Sequence, residues 1–333
     1  MSLRFISCLL LLTNAPPGAA ILLSDFSTTS VFYPPALALN TSLTLAKYLG
    51  CASSTSTSLS DVDVSCVQGT PAGDIALAAY NHRISWNIVI DGDYVLDNIA
   101  NSIRDGVYAR VPTLWTTTEC DFGYFLPRGL SPTAPPSVFV QTLPGYFTPT
   151  QISKILHATT LYPYASTPDE GNMSGAVLTL AQLLTDWNVL CPSTYLAWLA
   201  SQTNPYVYHA VFATGLGSPF TPSPGMCRGR VCHADELYWV FGTAETDGLY
   251  VPLGEAQLGV MRGVMRRVTE MVWSGNPNYV GAEVMWEGYG GGEGRGWGRE
   301  VVVNGTESVR EGYRAAQCAF IADQLGLVFG YGG

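Results

Sequence analysis

Short apolar runs alternate with helix-spaced stretches along this chain, and that alternation restricts its fold more than any other feature. Ala20–Phe26 (AILLSDF), Thr113–Thr118 (TLWTTT) and Val207–Thr214 (VYHAVFAT) are rich in aliphatic, aromatic and β-branched residues and read as strands. Gly175–Cys191 places Val177, Leu180, Ala181, Leu184 and Trp187 on one helical face, with Ser174 positioned to cap it. Leu258–Trp273 repeats Val260, Val264, Val268 and Met271 at helical spacing and stops at Ser274-Gly275, just before Pro277. Arg314–Leu325 predicts a further helix. Strands separated by helices call for an α/β fold with a mostly parallel sheet. No repeat of fixed period and no linker-like boundary divides the chain.

Charge narrows the partners. Sixteen Lys and Arg stand against 26 Asp and Glu, for a net charge of −10, and no basic tract occurs. Phosphate neutralisation needs clustered cations, so a nucleic-acid partner is excluded. With 47% hydrophobic and 13% charged residues in 333, the chain can bury a large core. Its N-terminal apolar run, Phe5–Leu12, is too short to span a bilayer and is followed by Pro16-Pro17. Eight cysteines, three N-glycosylation sequons (Asn40, Asn172, Asn304) and the low charge together favour an oxidising, extracellular location. Cys51 and Cys66 bracket a polar loop, Ser53–Ser60 (SSTSTSLS), and are placed to close it. The glycine-rich Gly288–Gly298 has neither G-x-G-x-x-G nor a lysine at phosphate-loop spacing, so no cofactor is expected.

Only four histidines are present: His82, His157, His209 and His233. His82 lies in a polar stretch, His157 in a helix and His209 inside a strand, and each reads as structural. His233 sits at a loop–helix junction, where an imidazole can reach a cleft as general base; a helix-entry residue without chemistry is the plainer reading from composition. A zinc site from Cys227, Cys232 and His233 fits no usual ligand spacing, and Cys227–Cys232 also reads as a short disulfide. Two acids, Glu119 and Asp121, follow the 113–118 strand. In parallel α/β sheets, sites form at the carboxyl ends of strands, so either acid is placed to orient a histidine; a capping or solvated acid is the alternative.

In their order and spacing, several segments resemble the later portion of the type-B carboxylesterase/cholinesterase/lipase family, of fungal type. These are Ala20–Ser24 (AILLS), Leu49-Gly50-Cys51 through Cys66, Val89-Ile90-Asp91-Gly92 with Gly106 and Val111-Pro112, and the acid-bearing segment Thr116–Phe125 (TTTECDFGYF). Further along come Thr185-Asp186 to Cys191-Pro192, Cys232–Gly242 (CHADELYWVFG), Ser274–Asn278 (SGNPN) and Trp286–Tyr289, where Glu287 replaces the family's usual proline, and Gln317–Phe320 (QCAF). The resemblance implies an α/β-hydrolase fold and carboxylic-ester hydrolase ancestry, with a small apolar ester or lipid as substrate class. It implies His233 as the triad histidine and Asp121 as the triad acid, at a spacing of 112 residues, with Glu119 the second candidate; the family's acid is usually Glu, and Phe122 stands where many members carry one. It also implies disulfides Cys51–Cys66 and Cys191–Cys318, and leaves Cys120 without a partner.

The family's nucleophile is a serine in G-x-S-x-G on a strand-to-helix turn, and no such motif occurs in the 333 residues. Gly171–Gly175 (GNMSG) has the wrong spacing and follows the acid, whereas the family order is serine, acid, histidine. The oxyanion segment and the strands before the elbow have no counterpart either, so an incomplete α/β-hydrolase domain is expected over residues 20–333. Residues 1–20 have two readings: a signal-peptide-like leader with cleavage near Ala20, or a remnant of the helix that follows the elbow. The expectation is an esterase- or lipase-like protein that is inactive as this chain. Its alternatives are a non-catalytic binding or adhesion module on the same fold, or a fragment of an active secreted esterase.

Overall fold

The computed structural model describes residues 18–24, 32–166, 173–216, 226–227, 230–246, 248, 252–290 and 298–327. The segment before Gly18 and the sequon at Asn172 therefore lie outside the described residues.

Among the described residues, seven strands form two sheets. They are β1 (Ala20–Leu23), β2 (Phe32–Tyr33), β3 (Ile88–Val89), β4 (Thr113–Thr118), β5 (Val207–Phe212), β6 (Arg299–Val303) and β7 (Glu307–Glu311). The main sheet runs β1-β4-β5-β6-β7; β1, β4, β5 and β6 are parallel and β7 is antiparallel at the edge. β2 and β3 pair separately. Every residue of β4 and β5 is buried, as expected for central strands covered on both faces. Their side chains alternate. Leu114, Tyr208, Ala210 and Phe212 join Trp239, Val264 and Met271 on one face. Trp115 and Val207 join Leu196, Ala197 and Tyr289 on the other. β7 carries Glu307, Arg310 and Glu311, and charges on an edge strand deter pairing with another chain.

Several boundaries differ from the sequence reading. The first strand ends at Leu23, because Ser24 turns to φ 43°, and the third ends at Phe212 rather than Thr214. The helix from Gly175 does not stop at Cys191: Gly175–Thr185 passes through a wide turn, Asp186–Leu190, into Cys191–Ser201. Pro192 has no N–H and crowds the preceding carbonyls, and the wide turn, closed by Cys191 N–H to Asp186 O, absorbs it without ending the helix. The last helix is likewise split into Ala315–Phe320 and a wide turn Ile321–Leu325.

Cys51–Cys66, Cys191–Cys318 and Cys227–Cys232 are disulfides. Cys120 is the free cysteine among the described residues, and it is buried. No helix among them is long and apolar enough to cross a membrane.

Candidate active site

β4 ends at Thr118, and Glu119 N–H still bonds Phe212 O of β5, so the chain leaves the sheet in strand register. It then tightens into a single turn, Asp121–Phe125. Three bonds fix that turn: Thr118 N–H to Asp121 Oδ2 (3.1 Å), Cys120 N–H to Val231 O (3.2 Å) and Phe122 N–H to Thr185 Oγ1 (2.9 Å). Asp121 is fully buried.

His233 comes to it from the loop ahead of helix Asp235–Phe241. Cys232 N–H bonds Asp235 Oδ2 at 3.0 Å and Asp235 N–H bonds Cys232 O, a reciprocal cap on that helix. Ala234 completes the turn at φ 69°, a left-handed conformation that only a tightly held non-glycine residue keeps. The cap aims the imidazole inward. His233 Nδ1 lies 2.8 Å from Asp121 Oδ1, and its side chain is 13% exposed. Phe125 and Tyr124 flank the ring, with centroids 5.0 and 6.2 Å away.

Glu119, the other acid named from sequence, faces away and accepts a hydrogen bond from Tyr313 OH at 3.2 Å. The remaining histidines lie elsewhere. His82 stacks on Tyr48, and His157 Nδ1 contacts Ser153 O at 2.6 Å. His209 is enclosed in β5, where burial holds its pKa near 3 and the ring stays neutral. Cys227 and Cys232 are bonded to each other, which removes both sulfurs from a zinc site with His233.

A third acid at the site escaped the sequence reading. Glu236 is fully buried beside the pair, with the Ser24 hydroxyl facing its carboxylate. Burial and then the charge of Asp121 push its pKa to about 7, while the Ser24 hydroxyl at the end of β1 draws it partly back. His233 shifts upward too. Burial disfavours its charged form, but Asp121, through charge and hydrogen bond, together with Glu236 and Asp235, outweighs that.

Both shifts have the same consequence for stability. An acid that ionises near 4.5 when unfolded and near 7 when folded holds a proton that folding must retain, so Glu236 costs stability as pH rises through that window. A histidine with a raised folded pKa contributes stability below its ordinary value of 6.5 and loses it as pH climbs through the folded value. Glu236→Gln, which cannot ionise, is expected to make the fall in urea midpoint between pH 5 and pH 8 shallower than in the parent chain. An unchanged slope would show that Glu236 does not titrate in that range. Asp121→Asn is expected to lower the His233 pKa, read by NMR from its ring protons, because the amide keeps the shape and drops the charge.

A mostly parallel sheet, an acid after one central strand and a histidine on a loop beyond the next together define an α/β hydrolase. The carboxylesterase family model matches residues 8–321, and the chain belongs to that family. It is also similar to the "Crystal protein" of Dictyostelium discoideum, 27% identical over 179 residues. That match covers 54% of this chain and 30% of the relative, so the chain spans less than a third of that protein.

Proposed function

We propose that Asp121 and His233 are the acid and general base of a carboxylic-ester hydrolase relay, and that residues 1–333 by themselves lack the nucleophile it serves. The observation that carries this is the 2.8 Å contact between His233 Nδ1 and the buried Asp121 carboxylate. With Nδ1–H donating to Asp121, Nε2 is left as the proton acceptor, and the carboxylate stabilises the imidazolium that forms. An acyl-enzyme needs a hydroxyl beside that nitrogen and donors for the oxyanion; the chain has no G-x-S-x-G to supply them. Each oxyanion donor alone is worth roughly 10²–10³ in rate, so a water activated by His233 is a poor substitute.

The missing motif also favours a second reading, a non-catalytic binding or adhesion module on the same fold. Three disulfides, and exposed sequon asparagines on helix Pro35–Tyr48 (Asn40) and at the β6–β7 turn (Asn304), support an extracellular setting for either.

The test is to fold residues 1–333 oxidatively, then treat them with a fluorophosphonate probe and with p-nitrophenyl butyrate. No labelled serine is expected, nor any turnover that His233→Ala removes. A labelled serine together with His233-dependent turnover would show that this chain holds its own nucleophile.

A further inference from the structure

Three sulfurs meet at one glycine. A Cβ on Gly123 would lie 2.9 Å from Cys232 Sγ, 3.1 Å from Cys120 Sγ and 3.6 Å from Cys227 Sγ. The free thiol of Cys120 is therefore at most about 6 Å from a sulfur of the Cys227–Cys232 disulfide. The two backbones are already joined, since Cys120 N–H bonds Val231 O at 3.2 Å. All three cysteines are buried, and Cys120 and Cys232 immediately precede Asp121 and His233. Glycine at position 123 is what leaves the space between the sulfurs open; any side chain there would stand among them.

We infer that Cys120, Cys227 and Cys232 form an internal thiol–disulfide relay, in which the bond passes from Cys227–Cys232 to Cys120–Cys232 and clamps the Asp121 loop onto the His233 loop. In the exchange, the Cys120 sulfur attacks as thiolate and bonds to Cys232 Sγ. The Cys232–Cys227 bond breaks, and Cys227 leaves with the electron pair and takes up the proton that Cys120 lost. One disulfide and one thiol are present before and after, so no oxidant or reductant is consumed. The bond moves from a span of five residues to one of 112, from Cys120 to Cys232.

A separate brake holds the relay at neutral pH. Burial, reinforced by Glu119 and Asp121 and opposed by Arg230, pushes the Cys120 thiol up to about 12. Thiolate is the attacking species, so the exchange quickens by about tenfold per pH unit below that value. The relay is independent of whether the acid–histidine pair turns over an ester.

The experiment incubates the folded chain at pH 6, 8 and 9, quenches it in acid, alkylates the free thiols in denaturant and maps the peptides. At pH 6 the label is expected on Cys120. At pH 9 a Cys120–Cys232 peptide with labelled Cys227 is expected to accumulate, absent in Cys120→Ser, with Cys51–Cys66 and Cys191–Cys318 intact. In the Cys227→Ser chain, a glutathione redox buffer is expected to join Cys120 to Cys232. The inference is overturned by label on Cys120 alone at every pH, by a Cys120–Cys227 peptide in its place, by scrambling of the other two disulfides at the same rate, or by Cys120 and Cys232 both remaining free in Cys227→Ser.

Discussion

Replacing Cys191 and Cys318 together by alanine is expected to lower the unfolding free energy by about 5 kcal/mol, the chain-entropy value for a cross-link over 127 residues. The loop it closes contains β5, the His233 loop, β6 and β7, so the bond ties the start of helix Cys191–Ser201 to helix Ala315–Phe320 around the site. Both sulfurs are buried, and the double alanine also leaves a small cavity. Cys51–Cys66 gives the internal comparison. It spans 15 residues, and the same relation assigns it about 3 kcal/mol. It joins the loop just past helix Pro35–Tyr48 to helix Val64–Gly69, away from the main sheet. Guanidinium denaturation of the two double-alanine chains should therefore rank them clearly. If removal of Cys51–Cys66 cost as much, the stabilisation would not come from loop length.

The parallel sheet could be read from sequence because its central strands are buried on both faces. TLWTTT and VYHAVFAT are apolar and β-branched throughout, with no competing helical period. β6 and β7 were not seen, because REVVV and ESVRE carry charges and follow a glycine-rich loop. The signal was present: Asn304-Gly305-Thr306, which also reads as a sequon, is the three-residue hairpin loop that joins them, with its glycine in the left-handed region at φ 68°. The helical face read over Gly175–Cys191 runs on to Ser201, because a wide turn carries the helix past Pro192. At the site, His233 and its two candidate acids were legible from a loop–helix junction, a strand end and a familiar spacing. The 112-residue spacing put Asp121 ahead of Glu119; in the fold Asp121 lies beside His233 while Glu119, two residues earlier, accepts from Tyr313. Glu236 was missed because acids in a first helical turn are usually solvated; here the helix start is pressed against Ser24 at the end of β1, which no local pattern reveals.

Arg267→Ala is expected to cost about 3–5 kcal/mol, the usual loss when one member of a buried ion pair is removed. Arg267 is fully buried within helix Glu255–Ser274, and each of its five donors has an acceptor. Nε and Nη2 take Glu307 of β7 at 3.2 and 2.5 Å, Nη1 takes Pro277 O at 3.3 Å and Asn278 Oδ1 at 2.9 Å, and Nη2 also donates to Val284 O. The guanidinium also lies 5.1 Å from the centre of the Trp286 ring and 4.9 Å from that of Tyr279. This accounts for two motifs recognised from the family resemblance without a reason. Asn278 and Trp286 bond each other through Asn278 Nδ2 to Trp286 O (2.8 Å) and Trp286 N–H to Asn278 Oδ1 (2.7 Å), so the SGNPN turn and the Trp286 segment form a mould around one cation. The residue at its centre was not singled out from sequence, though a signal was there. Arg267 falls between Val264 and Met271 at three- and four-residue spacing, so an arginine on the apolar face called for a buried partner. Arg267→Lys should recover less than half of the loss, because an ammonium offers three donors and no planar fork. Urea denaturation of the Ala and Lys chains, with Glu307→Gln completing a double-mutant cycle, reads the coupling directly. Equal midpoints for Lys and the parent would mean that charge alone holds the mould, and the five-donor account would fall.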